Sequence, residues 1–97
     1  MKLQLLNDLG IPFDLSGAST VELVLPYHRG ELRKAVDILD IETGMIKAAL
    51  TDFEIQGLKD GTGQTFWVSV KRENKLFTFE FSKTLNVTIK DGRKVIE

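Results

Sequence analysis

The sequence has 97 residues, 42% of them hydrophobic, and thirteen Lys and Arg face fourteen Asp and Glu for a net charge of −1. This length suits one domain with one modest core, and the near-neutral charge excludes the basic footprint of a nucleic-acid-binding protein. Disulfides, thiolate metal sites and cysteine nucleophiles are excluded because the chain has no cysteine. No apolar run is long enough for a signal-peptide core or a membrane-spanning helix, so we expect a protein made in the cytoplasm.

The chain opens with a predicted strand over residues 2–6, followed by a short extended segment. Pro12 lies in that segment, and because proline has no ladder donor it favours the edge of a sheet. Leu3 and Leu6 are out of phase, so both faces of the opening strand carry apolar side chains. This pattern indicates cover from another chain or from the tail, Arg93–Ile96.

Six further segments alternate apolar and polar residues with a period of two. Successive side chains of a strand point to opposite faces, so each segment predicts an antiparallel strand with one buried and one solvated face. These predicted strands cover residues 21–25, 36–39, 46–50, 66–70, 77–81 and 85–89. The core residues predicted from their phases are Leu23, Leu25, Val36, Ile38, Ile46, Leu50, Phe66, Val68, Val70, Phe77, Phe79, Val87 and Ile89.

Two short turns carry β-hairpin signals, and after the second of them Arg93–Ile96 either folds back on the preceding strand or begins a further element. Glu73-Asn74 links two strongly alternating segments, and Asp91-Gly92 is the strongest two-residue hairpin signal in the sequence. About seven strands with short connections favour a β-sandwich or a small barrel. Of these two, we predict an antiparallel β-sandwich of about seven strands with one short helical turn.

The helical turn is predicted over residues 51–58. Thr51 is a good N-cap, and Glu54 three residues later completes a capping box. Gly57 is expected to end the helix after barely two turns. Residues 59–63 are predicted to form a polar loop, because no Lys-Ser or Lys-Thr follows its glycines at the spacing of a phosphate-binding loop.

Residues that could perform chemistry are sparse. His28 is the only histidine and lies in a predicted turn, where an exposed loop residue is favoured over a pH sensor. Asp37, Asp40 and Glu42 form the nearest approach to a carboxylate cluster, and they flank a turn where solvation is the default. They could bind Ca²⁺ weakly, but the EF-hand pattern is missing. We therefore predict no catalytic residues, no metal site and no cofactor.

The aromatic residues divide into two groups by phase. Phe77, Phe79 and Phe81 recur with period two and are predicted to face the core. Trp67 and Leu76 are out of phase with their strands' core residues and are predicted to share an outer face. Either the opening strand or the helical turn covers that face, or it is an exposed apolar patch that binds a partner.

Two surfaces are therefore candidates for binding a partner protein. The first is the outer face with Trp67 and Leu76, since tryptophan is enriched in binding hot spots. The second is the N-terminal edge, with Leu3, Leu6 and Pro12, which could add a strand to a neighbour's sheet.

The order of several motifs carries a family resemblance over nearly the whole chain. The motifs are Asp14-Leu15-Ser16-Gly17-Ala18 before a strand, Glu42-Thr43-Gly44-Met45-Ile46 leading into a hairpin arm, Leu50-Thr51-Asp52 opening a helical turn, Gly63-Gln64-Thr65-Phe66-Trp67-Val68-Ser69-Val70, the Phe-rich strand, and Leu85-Asn86-Val87-Thr88-Ile89. In this order they resemble the N-terminal domain of the baseplate upper protein family of tailed phages that infect Gram-positive bacteria.

The resemblance implies one immunoglobulin-like β-sandwich domain over residues 1–97 and a structural role in a virion. Such a domain attaches to the distal hub of the phage tail and links it to receptor-binding proteins, so the expected partners are other tail or baseplate proteins and further copies of the chain. The expected location is the tail tip, after synthesis in the host cytoplasm. Family members usually continue into a linker, a helical segment or a further domain.

One alternative function stays open. A small phage or bacterial binding protein that inhibits a host enzyme would have the same composition and the same lack of catalytic residues. The genes beside this one distinguish the two: tail and receptor-binding genes favour the connector, and anti-defence genes favour the inhibitor.

Overall fold

The fold was analysed in a computed structural model that describes residues 1–81 and 83–97. This part of the chain contains ten strands and one helix. In chain order they are β1 (Lys2–Gln4), β2 (Ala18–Tyr27), β3 (Gly30–Ala35), β4 (Asp37–Asp40), β5 (Met45–Lys47), α1 (Asp52–Gly57), β6 (Gly61–Gln64), β7 (Trp67–Arg72), β8 (Lys75–Glu80), β9 (Leu85–Lys90) and β10 (Arg93–Ile96).

The strands of the described residues form three antiparallel sheets. A four-stranded sheet has the order β3-β2-β7-β8, and two three-stranded sheets have the orders β1-β5-β4 and β10-β9-β6. The prediction of an all-β, antiparallel protein with one short helix is confirmed. The structure has ten strands where about seven were predicted. Several of the ten are short, and two strands, β3 and β4, lie in the region where one strand was predicted over residues 36–39.

The chain passes from one sheet to another at Val36. β3 pairs with β2, with Leu23 opposite Lys34, whereas β4 pairs with β5, with Ile38 opposite Ile46. Val36 lies between the two strands and is half-buried against the core. The alternation across residues 36–39 therefore marks a crossing point as well as a strand.

One hydrophobic core draws side chains from strands of all three sheets. Leu23 lies opposite Val68 and Val21 opposite Val70 at the centre of the four-stranded sheet, and all four are buried. The buried core comprises Leu3, Leu5, Leu15, Val21, Leu23, Leu25, Ile46, Ala48, Leu58, Phe66, Val68, Val70, Phe79, Leu85 and Val87. Most of the predicted core residues are among these, and Val36, Leu50 and Phe77 are half-buried against them.

Two predicted core residues are wrong. Ile38 is 41% exposed because β4 is a short strand at the edge of its sheet. Ile89 is 61% exposed because β9 extends beyond the core, although Leu85 and Val87 in the same phase are buried. The predicted loop over residues 59–63 is also wrong in part, since β6 begins at Gly61 and pairs with β9.

Both predicted hairpins are confirmed. Glu73 and Asn74 have φ of 53° and 62°, and Asp91 and Gly92 have φ of 52° and 76°. Two consecutive residues with positive φ characterise the turn that matches the right-handed twist of the flanking strands. β8 therefore returns along β7, and β10 returns along β9.

The short helix α1 begins at the predicted capping box. The hydroxyl of Thr51 accepts from the Glu54 main-chain N–H at 3.2 Å, and the Glu54 carboxylate accepts from the Thr51 main-chain N–H at 2.8 Å. Lys34 of β3 donates to the same carboxylate at 2.5 Å, which ties the helix to the four-stranded sheet. No helix of the described ranges is long and apolar enough to cross a membrane.

Replacing Phe79 with Ala should lower the free energy of unfolding by about 3–5 kcal/mol, because its ring is buried and alanine leaves a cavity. Leu76→Ala is the matched control on the same strand, because Leu76 is 69% exposed, and it should change stability by less than about 0.5 kcal/mol. Urea unfolding followed by circular dichroism measures both. A loss below about 1 kcal/mol for Phe79→Ala would contradict its assignment to the core.

Acid should weaken the attachment of α1. Hydrogen bonds from Lys34 and from the Thr51 backbone hold the pKa of Glu54 below its usual 4.5. A carboxyl with a lowered folded-state pKa stabilises the protein above its unfolded-state pKa, and that stability is lost as the pH falls through the folded-state pKa. Glu54→Gln keeps an acceptor for Thr51 and removes the charge. Unfolding free energies between about pH 6 and about pH 3 should therefore fall more for the wild type than for this variant. Equal slopes would contradict the assignment.

Candidate protein-interaction surface

The outer face of the four-stranded sheet contains a buried valine. Val24 of β2 lies opposite Trp67 of β7 on one side and Arg33 of β3 on the other. Directly opposite side chains on neighbouring strands lie within contact distance, so these two long residues cover Val24, which is 0% exposed. Arg33 is held there by ion pairs with Glu22 at 3.9 Å and Glu31 at 3.3 Å. The sequence pattern had placed Val24 on a solvated face.

Trp67 and Leu76 share this outer face but are not neighbours. Trp67 lies opposite Glu80, whereas Leu76 lies opposite Lys71 at the other end of the same hairpin. Four residues of strand separate the two positions, which corresponds to about 13 Å. Trp67 is half-buried and Leu76 is 69% exposed. The structure thus divides the single predicted patch into two sites.

The residues predicted for the N-terminal binding surface are divided between the core and the exposed surface. β1 pairs with β5, and Leu3 is directed into the core, where it is 7% exposed. Leu3 is therefore removed from the predicted binding surface, because a buried side chain cannot contact a partner without unfolding. Leu6 is 44% exposed and Pro12 is exposed, and these two remain available.

Residues 6–12 form a small loop that closes on itself. Leu6 and Pro12 form an antiparallel bridge, and the Asn7 N–H donates to the Ile11 carbonyl at 2.9 Å. The Asn7 side-chain oxygen accepts from the N–H groups of Leu9 and Ile11 at 2.9 and 3.0 Å. This network holds the backbone while Leu6, Leu9 and Ile11 remain exposed, which concentrates apolar surface on this loop.

A groove of about 900 Å³ lies between this loop and β8. Leu6 and Asp8 line it from the loop, and Leu76 and Glu80 line it from the strand. Phe13 also lines the groove, with its ring centroid 5.2 Å from that of Phe77 and 4.8 Å from that of Phe79. The structure therefore brings together one residue from each predicted surface, Leu76 and Leu6. Sequence reasoning missed Asp8, Phe13 and Glu80, although the alternation of Phe13 and Leu15 could have indicated an inward-facing segment.

A second cavity lies at the opposite end of the core. Its volume is about 480 Å³, and its lining is mostly apolar, with Ala48, Leu50, Ile55 and Leu85 among the contributing residues. Lys47, Lys83 and Glu97 stand at the same cavity. Among its described lining residues there is no histidine and no pair of carboxylates.

The residues that could perform chemistry are separated from one another. His28 is exposed, and its Nδ1 lies 2.9 Å from the carbonyl oxygen of Gly57. The Asp40 carboxylate accepts from the Glu42 main-chain N–H at 3.2 Å within a turn. Over residues 1–81 and 83–97, no three His, Cys, Asp or Glu residues lie close enough together to hold a metal ion.

Comparisons with known proteins found no match. No family model matches the chain, no curated protein matches its sequence, and no solved structure matches its fold.

Replacing Trp67 with Ala should uncover Val24 and lower the free energy of unfolding by about 2 kcal/mol, roughly half the cost of removing a fully buried ring. Lys71→Ala is the matched control, because Lys71 is an exposed residue on the same face of the same strand. It should change stability by less than about 0.5 kcal/mol. Circular dichroism must report the unfolding, since Trp67 is the only tryptophan. Equal stabilities of the two variants would show that the indole ring covers nothing.

Proposed function

We propose that this chain is a structural module of a phage virion, an immunoglobulin-like β-sandwich that connects the distal hub of the tail to receptor-binding proteins. The observation that carries the proposal is that the motifs of the family resemblance have defined structural roles in this fold. Three of them form a turn or a helix cap between elements, and the others form strands β7, β8 and β9.

The first motif, Asp14 to Ala18, turns the N-terminal segment into β2. The Asp14 carboxylate accepts from the Ser16 N–H at 2.8 Å, and this bonding to Ser16, with a smaller effect from Arg72, lowers the pKa of Asp14. An aspartate that bonds the backbone two residues on is a common turn device. Gly17 follows with a φ of 78°, and β2 begins at the next residue.

The second motif places Gly44 where two segments meet. Its φ is 68°, and a Cβ atom there would lie 2.6 Å from the carbonyl oxygen of Phe13 and 3.0 Å from that of Leu5. The Leu5 N–H also donates to the Gly44 carbonyl at 2.9 Å. Only glycine permits both this backbone conformation and this close approach. The motif thus joins the N-terminal segment to the turn between β4 and β5.

The sandwich arrangement is supported by the composition of the core. Buried residues from β2, β7 and β8 belong to the same cluster as Leu3 of β1, Ile46 of β5 and Val87 of β9. A shared core between the four-stranded sheet and the two three-stranded sheets fits two layers packed face to face. We therefore assign the four-stranded sheet to one layer and the other two sheets to the second.

A connector needs a rigid scaffold and a surface that holds a partner. The antiparallel sheets supply the first, and the exposed apolar groove beside β8 supplies a candidate for the second. Separated titratable groups argue against a hydrolytic or metal-dependent enzyme. Because virions are symmetric assemblies, a connector in one would contact other tail proteins and further copies of the chain.

The proposal is tested on the virus whose genome encodes the chain. Purified virions are analysed by mass spectrometry, and a gold-labelled antibody against the chain is located by electron microscopy. We expect several copies per particle and label at the tail tip, with an abundant non-structural protein of the same lysate absent from the particles.

The outcome that contradicts a connector is a chain that is abundant in infected cells and missing from virions. In that case affinity purification from infected cells identifies what it binds. A stoichiometric complex with a host enzyme whose activity falls on binding would establish the inhibitor instead.

A further inference from the structure

The two edges of the four-stranded sheet differ in how they face solvent. β3, at one edge, carries Glu31, Arg33 and Lys34, and their charges are engaged in ion pairs with one another or with neighbouring elements. Charged residues on an edge strand discourage pairing with another chain. β8, at the other edge, has an uncharged centre from Leu76 to Phe79 made of leucine, phenylalanine and threonine. This composition favours strand formation and gives no such protection.

The free edge of β8 also has backbone groups that β7 does not use. The two-residue turn makes Arg72 and Lys75 the first hydrogen-bonded pair of the hairpin, and hydrogen-bonded pairs then alternate with non-hydrogen-bonded pairs. The N–H and C=O groups of Leu76, Thr78 and Glu80 therefore point away from β7. Within the described part of the chain, no turn, loop or cap makes a backbone hydrogen bond to them.

From this geometry we infer that the groove between β8 and the loop of residues 6–12 accepts an extended segment of another protein, which adds to β8 as a fifth strand. At about 3.4 Å per residue, β8 offers pairing for about six residues of the incoming strand. Alternate side chains of that strand would lie beside Phe77 and Phe79 on one face and beside Leu76 on the other. Main-chain hydrogen bonds give such a complex its affinity, and the side-chain sites give it specificity.

The charge of the groove specifies the chemistry of the incoming segment. Asp8 and Glu80 line the groove, and no basic residue lines it among those described. Arg72 is the cation in contact with Phe13, and it is engaged with the two rings and with the Asp14 carbonyl. The complementary segment is apolar at alternating positions and carries lysine or arginine. A second copy of this chain would present the same carboxylates and the same loop to the groove, so we assign the site to a different protein.

This inference deepens the proposed function, on which it rests for its role in assembly, by naming the contact surface and the chemistry of the partner. The peptide experiment below tests the groove alone. If the chain binds the peptide but is missing from virions, strand addition at the groove is supported and the connector function is contradicted. If the chain is present at the tail tip but binds no peptide, the connector function is supported and strand addition at the groove is contradicted.

The probes are two fluorescein-labelled peptides of about six residues, one alternating valine with lysine and one alternating valine with glutamate, titrated by fluorescence anisotropy. We expect the lysine peptide to bind with a dissociation constant below about 1 mM, at least about tenfold more tightly than the glutamate peptide. No binding of the lysine peptide at about 1 mM, or equal binding of the two peptides, overturns the inference.

Three variants locate the binding. Thr78→Pro removes an outward N–H from β8 and should weaken binding of the lysine peptide by about tenfold or more. Glu31→Pro is the matched control, because it removes an outward N–H from the opposite edge strand, and it should leave binding unchanged. Glu80→Lys leaves Asp8 as the carboxylate lining the groove and places one positive charge beside it, so it should remove the preference between the peptides, which keeps the test decisive if a proline variant does not fold. Equal weakening by both proline variants would overturn the assignment to β8, as would a wild-type dimer in sedimentation equilibrium that Thr78→Pro abolishes.

Discussion

The packing of β2 against β7 is the constraint on which the rest of the structure depends. Leu23 with Val68 and Val21 with Val70 form two directly opposed, buried pairs at the centre of the four-stranded sheet. Each such side chain contributes about 1.5–3 kcal/mol when it is fully buried, so the inner face of this strand pair stabilises the fold substantially. Since side chains alternate, the same register also sets Trp67 opposite Val24 on the outer face, and the pairing of β7 with β8 sets Leu76 opposite Lys71 there. A slip of one residue would exchange the two faces entirely.

The N-terminal segment depends on that inner face and in turn shapes the groove. Phe13 packs edge-on against Phe79, and the Arg72 guanidinium lies 4.4 Å from the centroid of the Phe13 ring. A cation over an aromatic face adds electrostatic attraction to the apolar contact. With Phe13 fixed against Arg72, Phe77 and Phe79 of the β7–β8 hairpin, the loop of residues 6–12 is held beside β8 without forming a strand with it. The groove exists because the loop closes through its own hydrogen bonds and leaves the edge of β8 unused.

Sequence periodicity predicted the strands that have one buried face and failed where burial is decided by neighbours. The phases of residues 66–70 and 77–81 identified Phe66, Val68, Val70 and Phe79 as core, because an alternating strand against a core needs only its own pattern. β6 has the sequence Gly-Thr-Gly-Gln and no apolar residue, and it is a strand because its backbone pairs with β9. No pattern within those four residues could indicate that pairing.

The same limit applies to single residues. Gly57 was expected only to end α1, yet a Cβ atom there would lie 1.9 Å from the hydroxyl oxygen of Tyr27, so glycine also makes room for that ring. Val24 was expected on a solvated face, yet Trp67 and Arg33 cover it from adjacent strands. Both depend on residues distant in sequence. The candidate site shows this most clearly, because Leu6 and Leu76 were identified separately from their phases and only the folded chain places them around one groove.

The two edge strands of the four-stranded sheet, β3 and β8, have opposite effects on pairing with another chain. Glu31, Arg33 and Lys34 are salt-bridged charged residues, and on an edge strand their charges make pairing with another chain unfavourable. Leu76 contributes little to the core, because it is largely exposed. Its position on an uncharged edge has the opposite effect, since an incoming strand would bury its side chain and satisfy the adjacent backbone groups together. One sheet thus has an edge that resists association and an edge that permits it. On the β8 edge the exposed leucine is one that the core does not require, and this is the property expected of a surface kept for a partner.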